Sequence, residues 1–329
     1  MDRSWLAERV GRARDESFVA IERFSRRPVQ AALLKKILAS ALERGADHGV
    51  CRMALQLPLL VHAGIRAAAD ESLYKLAAAL TVLEAGIYTL DHIVDRELDG
   101  PLLELPQTLV LLGSICLVSH LPTQVLLDLP CDPQLAGCLA RMLADGLAQI
   151  GAGQLEDVAT GAAGAAPSEA IQLAVTLKSG DRRALFTSMA ATLARGTPPQ
   201  VAAYTEFGRA LGIARQLRSD LVDLFGTRPS RDLASGTLTM PLALYFERCD
   251  ETRSAQMKRL LASAPREPQA VQRQVREHLR DSGVLREVVR RIEQQCALAL
   301  NRLEQAQPVQ RAAELLRDLV RSASVLQAR

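Results

Sequence analysis

The chain has 329 residues, 48% of them hydrophobic and 23% charged, with a net charge of +3. That is ample material for a core and no signature of disorder, and it leaves open one large domain or two ordinary ones. With so small a charge and no basic run interleaved with aromatics, nucleic-acid binding has no support. Six cysteines (Cys51, Cys116, Cys131, Cys138, Cys249 and Cys296) lack metal-site or disulfide-framework spacing. They read as small buried hydrophobes in a reducing compartment.

The first residues, MDRSWLAERVGRARDESF, are charged and contain no apolar signal core. Helical periodicity follows over 3–24, 28–45 and 50–69, with Pro28 placed where a first helical turn tolerates proline. An apolar helix is expected over 71–97, then others over 105–121, 131–160 and 167–195, the last after a GAAGAAP loop. The uncharged run Pro106 to Leu127 is interrupted by Gln107, His120, Pro122 and Gln124, which suits a buried helix better than a membrane span. A helix over 199–225 leads through a polar loop, 226–236, to helices near 238–247, 251–263, 267–281, 284–305 and 308–326. No stretch alternates with period two for long enough to be a strand. The expectation is a single all-α domain over 1–329, a helical bundle with a large apolar interior, soluble and cytoplasmic.

The stretch Leu76 to Gly100 is apolar with small residues, as a helix buried on most sides would be, and then delivers Asp91 and Asp95 on one face a turn apart. One such pair is ordinarily a solvated helix end. A second pair, Asp220 and Asp223, closes another apolar helix. Two facing carboxylate pairs in a bundle suggest a shared cation, and Mg²⁺ is the hard ion held by one or two carboxylates plus the phosphates of a substrate. An apolar interior beside it would take a hydrocarbon tail, and diphosphate with hydrocarbon describes a prenyl diphosphate.

The chain resembles the trans-polyprenyl synthetase family in five places. Asp91-His92-Ile93-Val94-Asp95 is similar to its DDxxD, with His92 for the second Asp. Gly153-Gln154-Leu155-Glu156-Asp157 matches GQxxD, and Lys178-Ser179 resembles its Lys-Thr pair. Leu211 to Asp223 resembles LGxxFQxxDDxxD, with Ser219 for the first Asp. Asp232 to Pro241 resembles DLxxGKxTLP, with Thr237 for the Lys. The resemblance implies the isoprenoid-synthase bundle around a central apolar cavity, with Mg²⁺ held by Asp91, Asp95, Asp220 and Asp223. It also implies that Lys178, Ser179 and Gln216 contact an allylic diphosphate, with Gln154, Asp157, Tyr88 and His92 beside it. Ionisation to an allylic cation would follow in a dry cavity.

The side that binds isopentenyl diphosphate in the family is altered. The stretch corresponding to GGKRxRP runs Gly49-Val50-Cys51-Arg52-Met53-Ala54-Leu55, leaving Arg52 as its basic residue. The family's diphosphate-binding His is Glu84, a carboxylate that would repel a diphosphate. Its Arg-Arg-Gly is replaced by Arg96 to Pro101. Three readings therefore stand: ionisation followed by cyclisation or transfer to another acceptor, ordinary chain elongation, or a non-catalytic partner subunit or prenyl-lipid binder. A homodimer is implied by the resemblance, and heterodimeric relatives with a degenerate subunit leave that arrangement open. Aromatics are only 3%, which favours simple ionisation over a long cyclisation cascade. Tyr88, Phe186 and Phe225 are the aromatics placed to line the cavity. Ile87 and Gly86, just before Asp91, point to a deep cavity floor. Lys178, a lysine in an apolar helix, needs an anion. Arg182 and Arg183 either reach the diphosphate through a local helix break or face solvent, and the arginines from 253 to 291 read as a solvated surface.

Overall fold

The structure, a computed structural model, describes residues 4–48, 50–66, 68–95, 97–98, 100–162 and 166–326. Gly49 of the expected basic stretch, the positions Arg96 and Asp99, the His48 side chain and residues 163–165 of the GAAGAAP loop lie outside the described residues. The described chain is α-helical, with no strand among its residues. The helices are α1 (Ser4–Phe24), α2 (Pro28–His48), α3 (Val50–Ile65), α4 (Glu71–Val94), α5 (Gln107–Val118), α6 (His120–Leu127), α7 (Pro133–Ala162) and α8 (Ser168–Val175). They continue as α9 (Asp181–Leu193), α10 (Pro198–Phe225), α11 (Arg231–Ser235), α12 (Met240–Arg248), α13 (Glu251–Ser263), α14 (Pro268–Ser282), α15 (Val284–Ala306) and α16 (Gln310–Ala323).

Three features depart from the periodicity. The run at 105–127 is two helices, because Ser119 takes a backbone conformation (φ −89°, ψ −85°) outside the helical region. The helix expected over 167–195 is broken by a π turn at Thr176–Gly180. The polar loop contains α11, capped by the Ser230 hydroxyl, which accepts from the Leu233 amide at 3.2 Å. It is stopped by Gly236 at φ +78°, a left-handed position that suits glycine.

Two compact units are distinguishable, one formed by Met1–Ala144, Phe186–Tyr204 and Ala306–Leu316, the other by Asp145–Leu185, Thr205–Gln305 and Arg317–Arg329. In the first, α4 packs against α1, α2, α3, α5 and α6. Asp70 caps it by accepting from the Leu73 amide at 3.1 Å, and Leu73, Leu76, Leu80, Val82 and Leu83 are fully buried. A helix enclosed on all sides can be apolar all round, which is why it carries no polar stripe. Both α4 and the span Gln107–Leu127 are long and apolar enough to cross a membrane by composition, but the apolar window of α4 is 83% buried within the protein. At Gly86 a Cβ would come 2.7 Å from Val118 and 2.9 Å from Leu117. That glycine lets α5 lie against α4, so the space beside it is filled and does not deepen a cavity floor.

In the second unit α12 packs against α8 and α14, and α14 also meets α11 and α13. The core includes Leu211, Leu217, Val275, Leu279, Val288 and Ile292, all fully buried. All six cysteines are free thiols; Cys51 and Cys296 are buried, while Cys138 is exposed.

Candidate functional site

The first acidic motif ends α4. Asp91 lies in the last turn and Asp95 immediately follows it, its amide donating to the Asp91 carbonyl at 2.9 Å; both side chains are half-buried. His92 is buried, with Nδ1 3.0 Å from the Tyr88 carbonyl oxygen and its ring tilted by 42° against that of Tyr88 at 4.1 Å between centroids. His92 is therefore fixed by its own helix, one turn back. A narrow crevice beside it is lined by Ser40, Thr89, Leu98 and Leu102. Glu84, two turns before Asp91, is fully buried, whereas Arg52 on α3 is exposed.

In the second unit, the neighbourhood of the other acidic motif is built on backbone contact. A Cβ on Gly153 of α7 would lie 2.6 Å from the Lys178 amide nitrogen, and one on Gly212 of α10 would lie 2.3 Å from the Ser179 carbonyl oxygen. Glycines at these two positions let α7 and α10 close on the π turn from two sides. Such turns carry one residue more than an α turn and often occur at functional sites. This one projects Lys178 and Ser179.

Asp157, one turn beyond Gly153, pairs with Lys178 at 2.9 Å. The lysine's need for an anion is thus met within the chain. The Ser179 hydroxyl donates to Gln216 Oε1 at 2.9 Å, and Gln216 Nε2 donates to Asp220 Oδ1 at 2.9 Å. Gln154 lies on α7 beside Gly153, half-buried. The structure therefore brings Asp157, Lys178, Ser179, Gln216 and Asp220 into one neighbourhood.

Burial pushes the Asp220 carboxyl up to about 7, and the Asp157 and Asp223 charges add to that; the Gln216 amide and Lys178 oppose it. A buried carboxylate so placed gains from a cation. Asp223, one turn on, is half-buried and held by α11: the Arg231 amide donates to Oδ1 at 3.1 Å, and the Ser230 hydroxyl and Asp232 amide reach Oδ2.

Arg182 and Arg183, directly after the π turn, are buried at 7% and 6% exposure, so the solvent-facing alternative is excluded. Burial pulls Arg215 down to about 10, with repulsion from Arg183 and Arg218 adding to it. Arg183, Arg215 and Arg218 are thus near neighbours, which their dispersed sequence positions hide. The reading of residues 253–291 as a solvated face also needs correction. Arg276 is half-buried, donating to the Leu224 carbonyl at 2.6 Å and the Gly226 carbonyl at 2.5 Å, and Arg276 and Arg280 both lie over the Phe225 ring. The i, i+4 spacing of Gln272 and Arg276 on an amphipathic helix was the signal available.

The donor chemistry fits Mg²⁺. The acids are hard oxygen donors, although among the described residues no group of three or more His, Cys, Asp or Glu side chains is placed to hold a metal ion by itself. Mg²⁺ characteristically draws part of its shell from substrate phosphates.

The polyprenyl synthetase family model matches residues 116–278, which include the π turn and the whole second motif. The chain belongs to the polyprenyl synthetase family. Solved structures with the same fold include a polyprenyl synthetase from Streptomyces coelicolor A3(2), at 17% identity and TM-score 0.78, over 98% of this chain and 100% of that one. A decaprenyl diphosphate synthase from Rhodobacter capsulatus matches at 19% identity and TM-score 0.79, over 99% and 98%. A geranylgeranyl pyrophosphate synthase from Corynebacterium glutamicum, complexed with isoprenyl diphosphate and magnesium, matches at 20% identity and TM-score 0.77, over 99% of each chain. No curated protein matches in sequence.

Proposed function

We propose that this polyprenyl synthetase is a prenyl-transferring enzyme that ionises an allylic prenyl diphosphate with Mg²⁺, and that the prenyl chain is then cyclised or passed to an acceptor other than isopentenyl diphosphate. The observation that carries the first half is the joined set Asp157, Lys178, Ser179, Gln216 and Asp220 around the π turn. Asp91, Asp95, Asp220 and Asp223 are the proposed oxygen donors. When bound, Mg²⁺ would neutralise the charge of the departing diphosphate.

The chain's own residues do the rest. Lys178 donates to the diphosphate, exchanging part of its pairing with Asp157. Gln216 holds Asp220 in one orientation, and Ser179 holds Gln216. Tyr88 and His92 form a tilted ring pair beside Asp91. Glu84 supports the second half: at the position where the family has a diphosphate-binding His, this chain buries a carboxylate completely.

Ordinary chain elongation is the second reading, favoured by the decaprenyl and geranylgeranyl synthases that share the fold. A non-catalytic partner subunit or prenyl-lipid carrier is the third. We place the protein in the cytoplasm as a soluble homodimer; the exposed Leu109, Leu112 and Ile115 of α5 offer a surface for the second copy.

The test is diphosphate release and product analysis with Mg²⁺ and geranyl, farnesyl or geranylgeranyl diphosphate, with and without isopentenyl diphosphate. Release without isopentenyl diphosphate is expected, giving a hydrocarbon or alcohol when no other acceptor is present. Elongation seen only when isopentenyl diphosphate is added would establish the second reading. Silence in every arm would leave the third.

A further inference from the structure

The second acidic motif contains two carboxylates with different surroundings. Among the described residues, Asp220 accepts one side-chain hydrogen bond, from Gln216. Asp223 accepts the Arg231 amide, the Asp232 amide and the Ser230 hydroxyl. Ser230 is 1% exposed and also caps α11 through the Leu233 amide. Turning the Asp223 carboxylate toward a cation would release two amides and a buried hydroxyl together.

The other side of the same segment is held from α14. Gln272, 4% exposed, directs its side-chain amide nitrogen at the carbonyls of Asp223 (3.1 Å), Leu224 (2.9 Å) and Arg228 (3.2 Å). Arg276 takes the carbonyls of Leu224 and Gly226. The last carbonyls of a helix have no partners within it, and here two side chains of one neighbouring helix supply them. The turn from α10 to α11 is thus fastened through its acid and through its backbone.

We propose that Asp223, with Ser230, Gln272 and Arg276, is a positioning set that fixes the end of α10 and the 226–236 segment, and that the metal charge of the second motif falls on Asp220. This rests on the proposed metal role of that motif and narrows the donor set given above: of its two acids Asp220 is the oxygen donor, and Asp223 holds the segment.

The experiment compares the full-length protein with Asp223→Asn, Ser230→Ala, Ser230→Thr, Gln272→Met and Asp220→Asn. Backbone hydrogen exchange is read over 226–236, and binding of inorganic diphosphate in the presence of Mg²⁺ is read by calorimetry. Asp223→Asn, Ser230→Ala and Gln272→Met are each expected to speed exchange at the Arg231 and Asp232 amides by about tenfold, the loss of a bond or two. The same three weaken Mg²⁺–diphosphate binding by only about fivefold, because geometry and not a ligand is lost. Ser230→Thr keeps the hydroxyl and restores both. Asp220→Asn abolishes binding and leaves the exchange unchanged.

If Asp223→Asn abolishes binding while exchange at 231 and 232 stays slow, Asp223 is a ligand and the proposal fails. Faster exchange with unaltered binding makes the set merely structural, which also overturns it. Retained binding in Asp220→Asn refutes the metal reading of the motif itself, a failure seen in that variant alone.

Discussion

Gly212→Ala tests whether backbone contact at the π turn builds the site. The added Cβ would lie 2.3 Å from the Ser179 carbonyl oxygen and 3.0 Å from both the Gly180 Cα and the Arg183 Cγ. Non-bonded carbon contacts are comfortable at about 3.5–4.0 Å, so α10 and the turn must separate by about 1 Å. Forcing such an overpacked contact open costs about 1–3 kcal/mol. Moving Ser179 away by that distance also breaks its 2.9 Å bond to Gln216, worth about 1 kcal/mol more. The expected loss of about 2–4 kcal/mol is read from urea unfolding, with an increase in KM for the allylic diphosphate as Gln216 loses its anchor. Gly151→Ala on α7 is the control, since nothing lies within 4 Å of its Cβ, and by helix propensity alone it should stabilise by up to about 1 kcal/mol. If Gly212→Ala is as stable as the parent, the close approach does not exist and the account of the turn is wrong.

Removing the Asp220 charge separates fold from function: Asp220→Asn should lower Mg²⁺-dependent diphosphate release by at least about a hundredfold, as loss of an electrostatic group in a catalytic site does. Without metal the same change should stabilise the protein above pH 7. Burial raises that carboxyl from 3.8 to about 7, so its favourable neutral form is lost as pH rises through 7; equal unfolding midpoints of the two proteins at pH 8 in chelator would contradict this. His62 supplies an acid-labile point in the first unit, being fully buried with neither ring nitrogen hydrogen-bonded among the described residues. Burial foremost lowers it from 6.5 to about 4, with Arg66 and Arg9 adding and Asp70 opposing. Its stabilising neutral form is therefore fully present above 6.5 and lost as pH falls toward 4, a decline of about 3 kcal/mol. Urea titrations at pH 7, 5 and 4 should show the decline in the parent and a flatter profile in His62→Leu, and parallel profiles would exclude His62 as the cause. Lys178→Met leaves Asp157 half-buried without that ion pair, so a loss of about 1–3 kcal/mol is expected. Diphosphate affinity should fall with it, and unchanged affinity would remove Lys178 from the binding set.

The helices of the core were legible because their apolar periodicity runs over many turns. Legibility failed where a single residue changes the geometry. The conformation of Ser119 divides one apolar run into α5 and α6, and no period in hydrophobicity marks it. The π turn at 176–180 adds a residue inside a continuous helical pattern, so no period in hydrophobicity fixes where the helix near Arg182 and Arg183 breaks. Asp157, Lys178, Ser179, Gln216 and Asp220, which the structure brings together, are residues that spacing and resemblance single out. Gln272 and Arg276 are not, because their partners are carbonyls nearly 50 residues away, and an arginine among acids reads as surface unless its partner is known.

The pattern of retained and replaced motif residues has a physical reading. Gly153 and Gly212 admit backbone contact, Asp157 pairs with Lys178, Gln216 holds Asp220, Asp223 holds α11, and Gly236 ends it. Each retained residue has a partner within its own unit that a substitution would disturb. The replacements are of another kind: Ser219 is exposed, Thr237 follows the helix stop, His92 binds its own helix, and Glu84 buries a carboxyl where the family has a basic group. A chain drifting toward a purely structural role would have no need of the buried Asp220 carboxylate, which burial and two neighbouring acids make unfavourable without a cation. Keeping that acid and its Gln216–Ser179 support, while burying a carboxyl at Glu84, is what the proposed change of acceptor would require. On the proposed reading, the Asp220 neighbourhood stays constrained by its scaffold, while the acceptor side is free to change.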